Sequence, residues 1–178
     1  LLASLPFEEG VPLAIPVEAP RPWTAETPDL YRLTLTAAGE TVGEEVGFRR
    51  LEIRDGVLRY NGVAIKLRGV NRHDFSPTGG AAVTRAEMEQ DLRLMKQYNV
   101  NAIRTSHYPN SPEFLQLCDR YGFYLIDEAD LESHGSNDGY GLFIDGKQNK
   151  QGLAYVVSPP GFAPAIRDRV ERLVRRDL

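Results

Sequence analysis

The feature that most constrains this chain is its hydrophobic period. Between Ala64 and Asp127 the period changes twice from that of a strand to that of a helix and back. "AIKLRGVN" reads as a strand. In "TRAEMEQDLRLMKQYN", Met88, Leu92 and Met95 fall at i, i+4 and i+7 and form one apolar helical stripe. Thr84 with Glu87 three residues on is a capping box that starts this helix. Val100 to Arg104 reads as a second strand. Ser111 as N-cap, Pro112 at the first helical position and Glu113 in the first turn then open a second helix. Its buried stripe is Phe114, Leu117, Cys118 and Tyr121, and Gly122 ends it. "FYLIDEA" is a third strand, nearly continuous in apolar residues before Asp127, as a strand covered on both faces should be. Strand, helix, strand, helix, strand with crossover connections predicts a parallel sheet.

The flanks read differently. Residues 1–50 are β structure with proline-rich connections, where Pro20, Pro22 and Pro28 keep the chain extended. Leu30 to Thr36 alternates, with Tyr31, Leu33 and Leu35 on one side. "AAGE" supplies a turn, and Val42 to Phe48 returns. The spacing suggests the last strands of a sandwich. Asp55-Gly56 and Asn61-Gly62 each sit between β-prone residues and signal tight hairpins. Residues 135–163, rich in Gly, Asn, Asp and Pro, carry no period and read as a long loop. Pro164 to Leu178 reads as a helix with Ile166, Val170, Leu173 and Val174 on one side.

Composition narrows the class. At 42% hydrophobic and 26% charged, the 178 residues have the balance of a soluble globular protein. A net charge of -4 argues against nucleic acid or an anionic membrane surface as partner. Cys118 is the single cysteine, so no disulfide forms within the chain and a cytoplasmic location is favoured. No run approaches the roughly 18 apolar residues of a membrane span. The start, "LLASLPFEEG", has neither a methionine nor a charged n-region, and "VERLVRRDL" stops inside a helical pattern. The expectation is a piece of a longer protein.

The polar residues gather at strand ends. His73, His107 and His134 each follow the carboxyl end of a predicted parallel strand, where α/β architectures place their ligand sites. Glu132 and His134, two residues apart in an extended chain, point to one side and could hold a divalent cation, although an E-x-H alone is a weak metal signal. Asp127 and Glu128 are consecutive and face opposite ways, so they do not flank one bond. Each is expected to pair with an arginine such as Arg104 or to tether a neighbouring strand. Arg104 either neutralises a buried carboxylate or belongs to a carboxylate-based site.

"LRGVNRHDFSP", "MKQYNVNAIRTSHYPNSPEFLQLCDRYGFYLIDEADLESHG" and "PWTAETPDLYRLTLT…VGFRRLEI" together resemble glycoside hydrolase family two, most closely its large bacterial β-galactosidases. "RTSHYP" and "CDRYG" are also similar to β-glucuronidases, whereas "DEADLESHG" resembles the galactosidase version. The resemblance implies an α/β architecture. Residues 1–50 would be the C-terminal strands of an immunoglobulin-like β-sandwich, and residues 51–178 the N-terminal part of a TIM (β/α)8 barrel, incomplete here. It implies retaining hydrolysis of terminal β-D-galactosides, lactose among them, through an acid/base and a nucleophilic glutamate. Both glutamates are placed beyond Leu178, so no catalytic residue is assigned and the chain alone is expected to be inactive.

By the same resemblance His73 and His107 bind the sugar hydroxyls, Arg104 orients the nucleophile, and Asn71 is a further supporting residue. Glu132 and His134 would be ligands of Mg2+, with Na+ as a second candidate cation. Tyr108 and Phe75 either stack on the sugar ring or fill the barrel mouth. "NRHD" departs from a longer histidine-rich version in some relatives, at the loop Asp74 to Gly80. The implied parent is a cytoplasmic homo-oligomer acting on a small-molecule β-galactoside. A β-glucuronidase or β-mannosidase of the same family, or a non-catalytic sugar-binding module, are the alternatives.

Overall fold

The computed structural model describes residues 4–131, 143–144, 147–148 and 162–177. The chain divides into two compact units, Leu1–Lys66 and Leu67–Leu178.

The first unit holds two antiparallel sheets. Strand β1 (Tyr31–Ala37) pairs with β2 (Glu40–Val46), with Tyr31 opposite Val46 and Ala37 opposite Glu40. Strands β3 (Leu51–Arg54), β4 (Val57–Tyr60) and β5 (Val63–Ala64) form the other sheet in that order. All three hairpins have two-residue links, Ala38-Gly39, Asp55-Gly56 and Asn61-Gly62. Every link residue has a φ between 50° and 84°, the left-handed signature of type I′ turns. The expected apolar face of β1 is in place but uncovered, with Leu33 and Leu35 exposed. A two-stranded hairpin has no layer of its own to cover that face.

A small core forms around Trp23, which is buried and packs against Tyr60 with ring centroids 5.5 Å apart. The Trp23 N–H donates to the Phe48 carbonyl, and Asn61 Nδ2 donates to the Trp23 carbonyl. A Cβ at Gly47 would come within 2.9 Å of Trp23 Cβ, so the indole reaches its site because residue 47 has no side chain.

The strand expected across "AIKLRGVN" is split in two. Val63–Ala64 continues the antiparallel sheet, and the Ile65 N–H still donates to the Leu58 carbonyl. Only at β6 (Gly69–Arg72) does the chain enter the parallel sheet. Periodicity marks a β-prone segment but does not show that its two ends bond to different neighbours.

In the second unit β6, β7 (Ala102–Thr105) and β8 (Tyr124–Ile126) form a parallel sheet in that order, as predicted. Helix α1 (Arg85–Gln97) starts on the complete Thr84–Glu87 capping box. Helix α2 (Pro112–Tyr121) is capped by Ser111 and ends at Gly122, whose φ of 76° is left-handed. Met88 and Leu92 of α1, Ile103 of β7, and Phe114, Leu117 and Cys118 of α2 join Phe123 in one core cluster. Each such fully buried side chain contributes about 1.5–3 kcal/mol. Both helices therefore cover the same face of the sheet. Among the described residues the three strands do not close a barrel.

A short antiparallel pair, β9 (Phe143–Ile144) with β10 (Lys147–Gln148), falls within the expected loop of residues 135–163; residues 162 and 163 are helical, and the rest of that loop lies outside the described residues. Helix α3 (Phe162–Asp177) forms where expected, but none of its residues is buried, and Val170 and Val174 are exposed. No described helix is long and apolar enough to cross a membrane.

Candidate active site

Alternation along the parallel strands sorts the polar residues into two sets. Residues in register on neighbouring strands share a face of the sheet. Asn71, Arg104 and Ile126 are in register and share one face. Arg72 and Thr105 share the other, the face that carries the helices. Beyond the end of β8 the alternation continues: Asp127 goes to the helix side and Glu128 to the open side.

On the open side Arg104 meets Glu128 through two nitrogens. Nη2 donates to Oε1 at 2.9 Å, and Nε lies 2.7 Å from Oε2. One hydrogen bond and one close ion-pair contact thus hold the planar guanidinium against the carboxylate. His107 Nδ1 lies 3.2 Å from the same Oε1 and 3.4 Å from Arg104 Nη2. An ionised carboxylate only accepts hydrogen bonds, so the shorter contact assigns a proton to Nδ1. Burial pushes the Glu128 carboxyl up. The hydrogen bonds and charges of Arg104 and His107 outweigh that and hold it below the usual glutamate value.

His73, just past β6, meets His107 edge to face, with ring centroids 5.3 Å apart. The Tyr108 ring centroid lies 6.1 Å from that of His73, and the Tyr108 hydroxyl accepts the Asp74 N–H at 3.0 Å. Phe75 is 70% exposed. The predicted residues His73, Arg104 and His107 are thus brought together at the carboxyl end of the parallel strands. Asn71 shares the face of Arg104 and is exposed. Glu132 and His134 lie outside the described residues. Among the described residues no group of three His, Cys, Asp or Glu could hold a metal ion.

The opposite tasks of Asp127 and Glu128 follow the sequence reading. Glu128 pairs with Arg104. Asp127 Oδ1 accepts from Thr105 Oγ1 at 3.0 Å, tying β8 to β7. Sequence reasoning missed Arg72. Its side chain is 4% exposed, and it donates from Nε to Asp91 Oδ2 at 3.0 Å and from Nη1 to Asp74 Oδ1 at 2.6 Å and Asn110 Oδ1 at 3.1 Å. One signal was available: Asp91, three residues after Met88, puts a carboxylate beside the apolar stripe of α1.

The site can present two imidazole edges and a charged guanidinium–carboxylate pair to a polyhydroxylated ligand. Comparison with known proteins identifies the family. The family model described as "Glycosyl hydrolases family 2, TIM barrel domain" matches residues 51–178. A second model, "Glycosyl hydrolases family 2", matches residues 4–49. A beta-galactosidase of Aeromonas hydrophila is 46% identical over 178 residues, covering 97% of this chain and 16% of that protein. A beta-galactosidase of Actinobacillus pleuropneumoniae is 44% identical over 181 residues, covering 93% of this chain and 18% of that protein. This chain therefore spans less than a fifth of the length of these relatives.

Among solved structures, a β-D-glucuronidase of Dictyoglomus thermophilum matches with a TM-score of 0.64 at 27% identity, over 74% of this chain and 22% of that one. A GH2 β-galacturonidase of Eisenbergiella tayi bound to galacturonate matches with a TM-score of 0.61 at 34% identity, over 64% of this chain and 20% of that one. With the barrel-domain model matched from the β3 hairpin to the last residue, and the preceding model matched over nearly all that comes before it, this chain belongs to glycosyl hydrolases family 2.

Proposed function

We propose that this chain is the part of a retaining β-galactosidase that supplies the first three barrel strands and, at their carboxyl ends, a share of the galactose site. The observation that carries this reading is the convergence of His73, His107, Arg104 and Glu128 at the end of the sheet where parallel α/β folds bind ligands. The identity of more than 40% to beta-galactosidases over nearly the whole chain supports galactoside as the substrate class.

In this reading the imidazoles of His73 and His107 hydrogen-bond galactosyl hydroxyls, and those bonds aid catalysis where they tighten at the transition state. Arg104, fixed by Glu128, presents its charge to the carboxylate that attacks the anomeric carbon. The acid/base and nucleophilic glutamates come from the rest of the parent barrel, and residues 1–50 are the end of its immunoglobulin-like domain. Glu132 and His134 are the residues that would hold a Mg2+ ion, which would supply positive charge beside the catalytic acid.

The solved neighbours named above act on glucuronides and galacturonides, so uronide hydrolysis is the second reading. The full-length protein carrying this chain, assayed on nitrophenyl β-galactoside and β-glucuronide, separates the two. Turnover of the galactoside with none of the glucuronide is the expected result, and the reverse overturns the assignment. His73→Ala and His107→Ala should each lower kcat/KM about 100-fold. Unchanged activity in both would remove these residues from the sugar site.

A further inference from the structure

The two histidines of the site stand on different loops, His73 after β6 and His107 after β7. Their edge-to-face geometry depends on whatever ties those loops together. A closed polar circuit does so. Arg72, next to His73, donates to both Asp74 and Asn110. Asn110, 1% exposed, donates Nδ2 to the Tyr108 carbonyl at 3.4 Å. The Asp74 N–H donates to Tyr108 Oη at 3.0 Å, which closes the ring. The guanidinium of Arg72 also lies 4.1 Å over the Phe114 ring, so the circuit is anchored in the helix layer. Arg72 and Asp74 flank His73 in sequence, and Tyr108 adjoins His107.

Within this circuit Tyr108 holds the exposed side. Its ring is half-buried against His73, and its hydroxyl bonds the first peptide N–H after that histidine. The Asp74 carboxylate accepts from Arg72, and the hydrogen bond from the Asp74 N–H to Tyr108 Oη adds a second restraint on the backbone that carries His73.

We propose that Tyr108 is a positioning residue for the sugar site. Its hydroxyl, by holding the Asp74 amide, sets the angle at which His73 meets His107 and hence where the two imidazoles direct their hydrogen bonds. The inference rests on the reading of His73 and His107 as sugar-binding residues. Misplacement of a binding group by a fraction of an ångström to an ångström can lower a rate by up to about 100-fold. Loss of one hydrogen bond with the ring retained should lie well below that limit.

The test is Tyr108→Phe in the full-length protein. The expected result is an unchanged Tm with a fall in kcat/KM on nitrophenyl β-galactoside of about 10-fold. In a His73→Ala background the same substitution should have no further effect, because Tyr108 acts through His73. Full activity in Tyr108→Phe, or an equal loss with and without His73, overturns the proposal. A crystal structure of the variant gives a readout that needs no turnover. The His73 ring should leave its edge-to-face position against His107, and an unmoved ring again overturns the proposal. Failure of the unsubstituted protein to cleave any β-glycoside would sink the assigned function instead, and the ring position in the variant would still decide the role of Tyr108.

Discussion

Arg104 binds Glu128 with two nitrogens of a rigid plane, and a lysine could offer only one. Arg104→Lys keeps the charge and loses the two-nitrogen contact. The pair is partly exposed, with side chains 39% and 25% accessible, so its contribution to stability is modest, about 1 kcal/mol or less. Its contribution to geometry is larger, because Glu128 also holds His107. Arg104→Lys should therefore lower kcat/KM of the full-length enzyme well beyond what the small fall in Tm implies. Steady-state kinetics beside thermal unfolding check this, and parallel losses would reduce the pair to a surface ion pair. Glu128 has a folded pKa held below the ordinary value of 4.5, so the pair stabilises the fold above that pH and loses its effect as pH falls through the folded value.

At this scale the alternation of a strand made Asp127 and Glu128 legible from their order alone. Arg72 was not legible, because its partners Asp91 and Asn110 lie 19 and 38 residues away and only the packed helices bring them together.

Elements with local signals were read most completely. Thr84 accepts the Glu87 N–H, and Glu87 Oε2 accepts the Thr84 N–H at 2.8 Å. The hairpin links are encoded by two residues each. Thr84→Ala removes the cap and should destabilise the protein by about 1 kcal/mol, read as a shift in the denaturant midpoint. The split of residues 64–72 between two sheets was not readable, since it depends on which strands stand alongside.

The end of α3 adds a pH dependence. Asp127 Oδ2 is buried, and the Asp177 carboxyl is its neighbour. Burial first, then the hydrogen bond with Asp177 and its charge, push Asp127 up to about 6, against the bonds from Thr105 and the Glu128 N–H. Asp177 is also pushed up by burial, but its bonds to Arg176 and Asp127 outweigh that and hold it below the usual aspartate value. Of the two carboxyls, Asp127 is therefore the one that protonates first as pH falls. Its folded pKa lies above the ordinary 3.8, so the contact favours the folded state at low pH and is lost as pH rises through about 6. Asp127→Asn keeps the acceptor for Thr105 and gives Asp177 a permanent donor. Relative to the unsubstituted protein its Tm should rise between pH 5 and pH 7, and a constant difference across that range would show that Asp127 does not titrate there.

At the scale of the whole molecule, what the described residues leave uncovered matters as much as what they pack. The parallel sheet ends at β6 on one side and β8 on the other, and neither edge has a further strand among the described residues. Val70 on β6 and Ile126 on β8 are 40% and 49% exposed, and Val170 and Val174 on α3 are 41% and 45%. Parallel sheets are covered on both faces, and barrels remove their edges by closing. The apolar period of α3 was legible without its partner, because periodicity reports that a face is to be buried and not against what. A 178-residue product made alone keeps these edges and faces in water. It should associate into oligomers of mixed size on size exclusion, bind a hydrophobic dye and show no turnover, whereas the full-length protein should elute as one defined species, leave the dye unbound and turn over substrate. A monomeric product with a single cooperative unfolding transition would show that the core of Met88, Leu92, Ile103, Phe114 and Leu117 is sufficient on its own, and that closure of the barrel serves the site more than the fold.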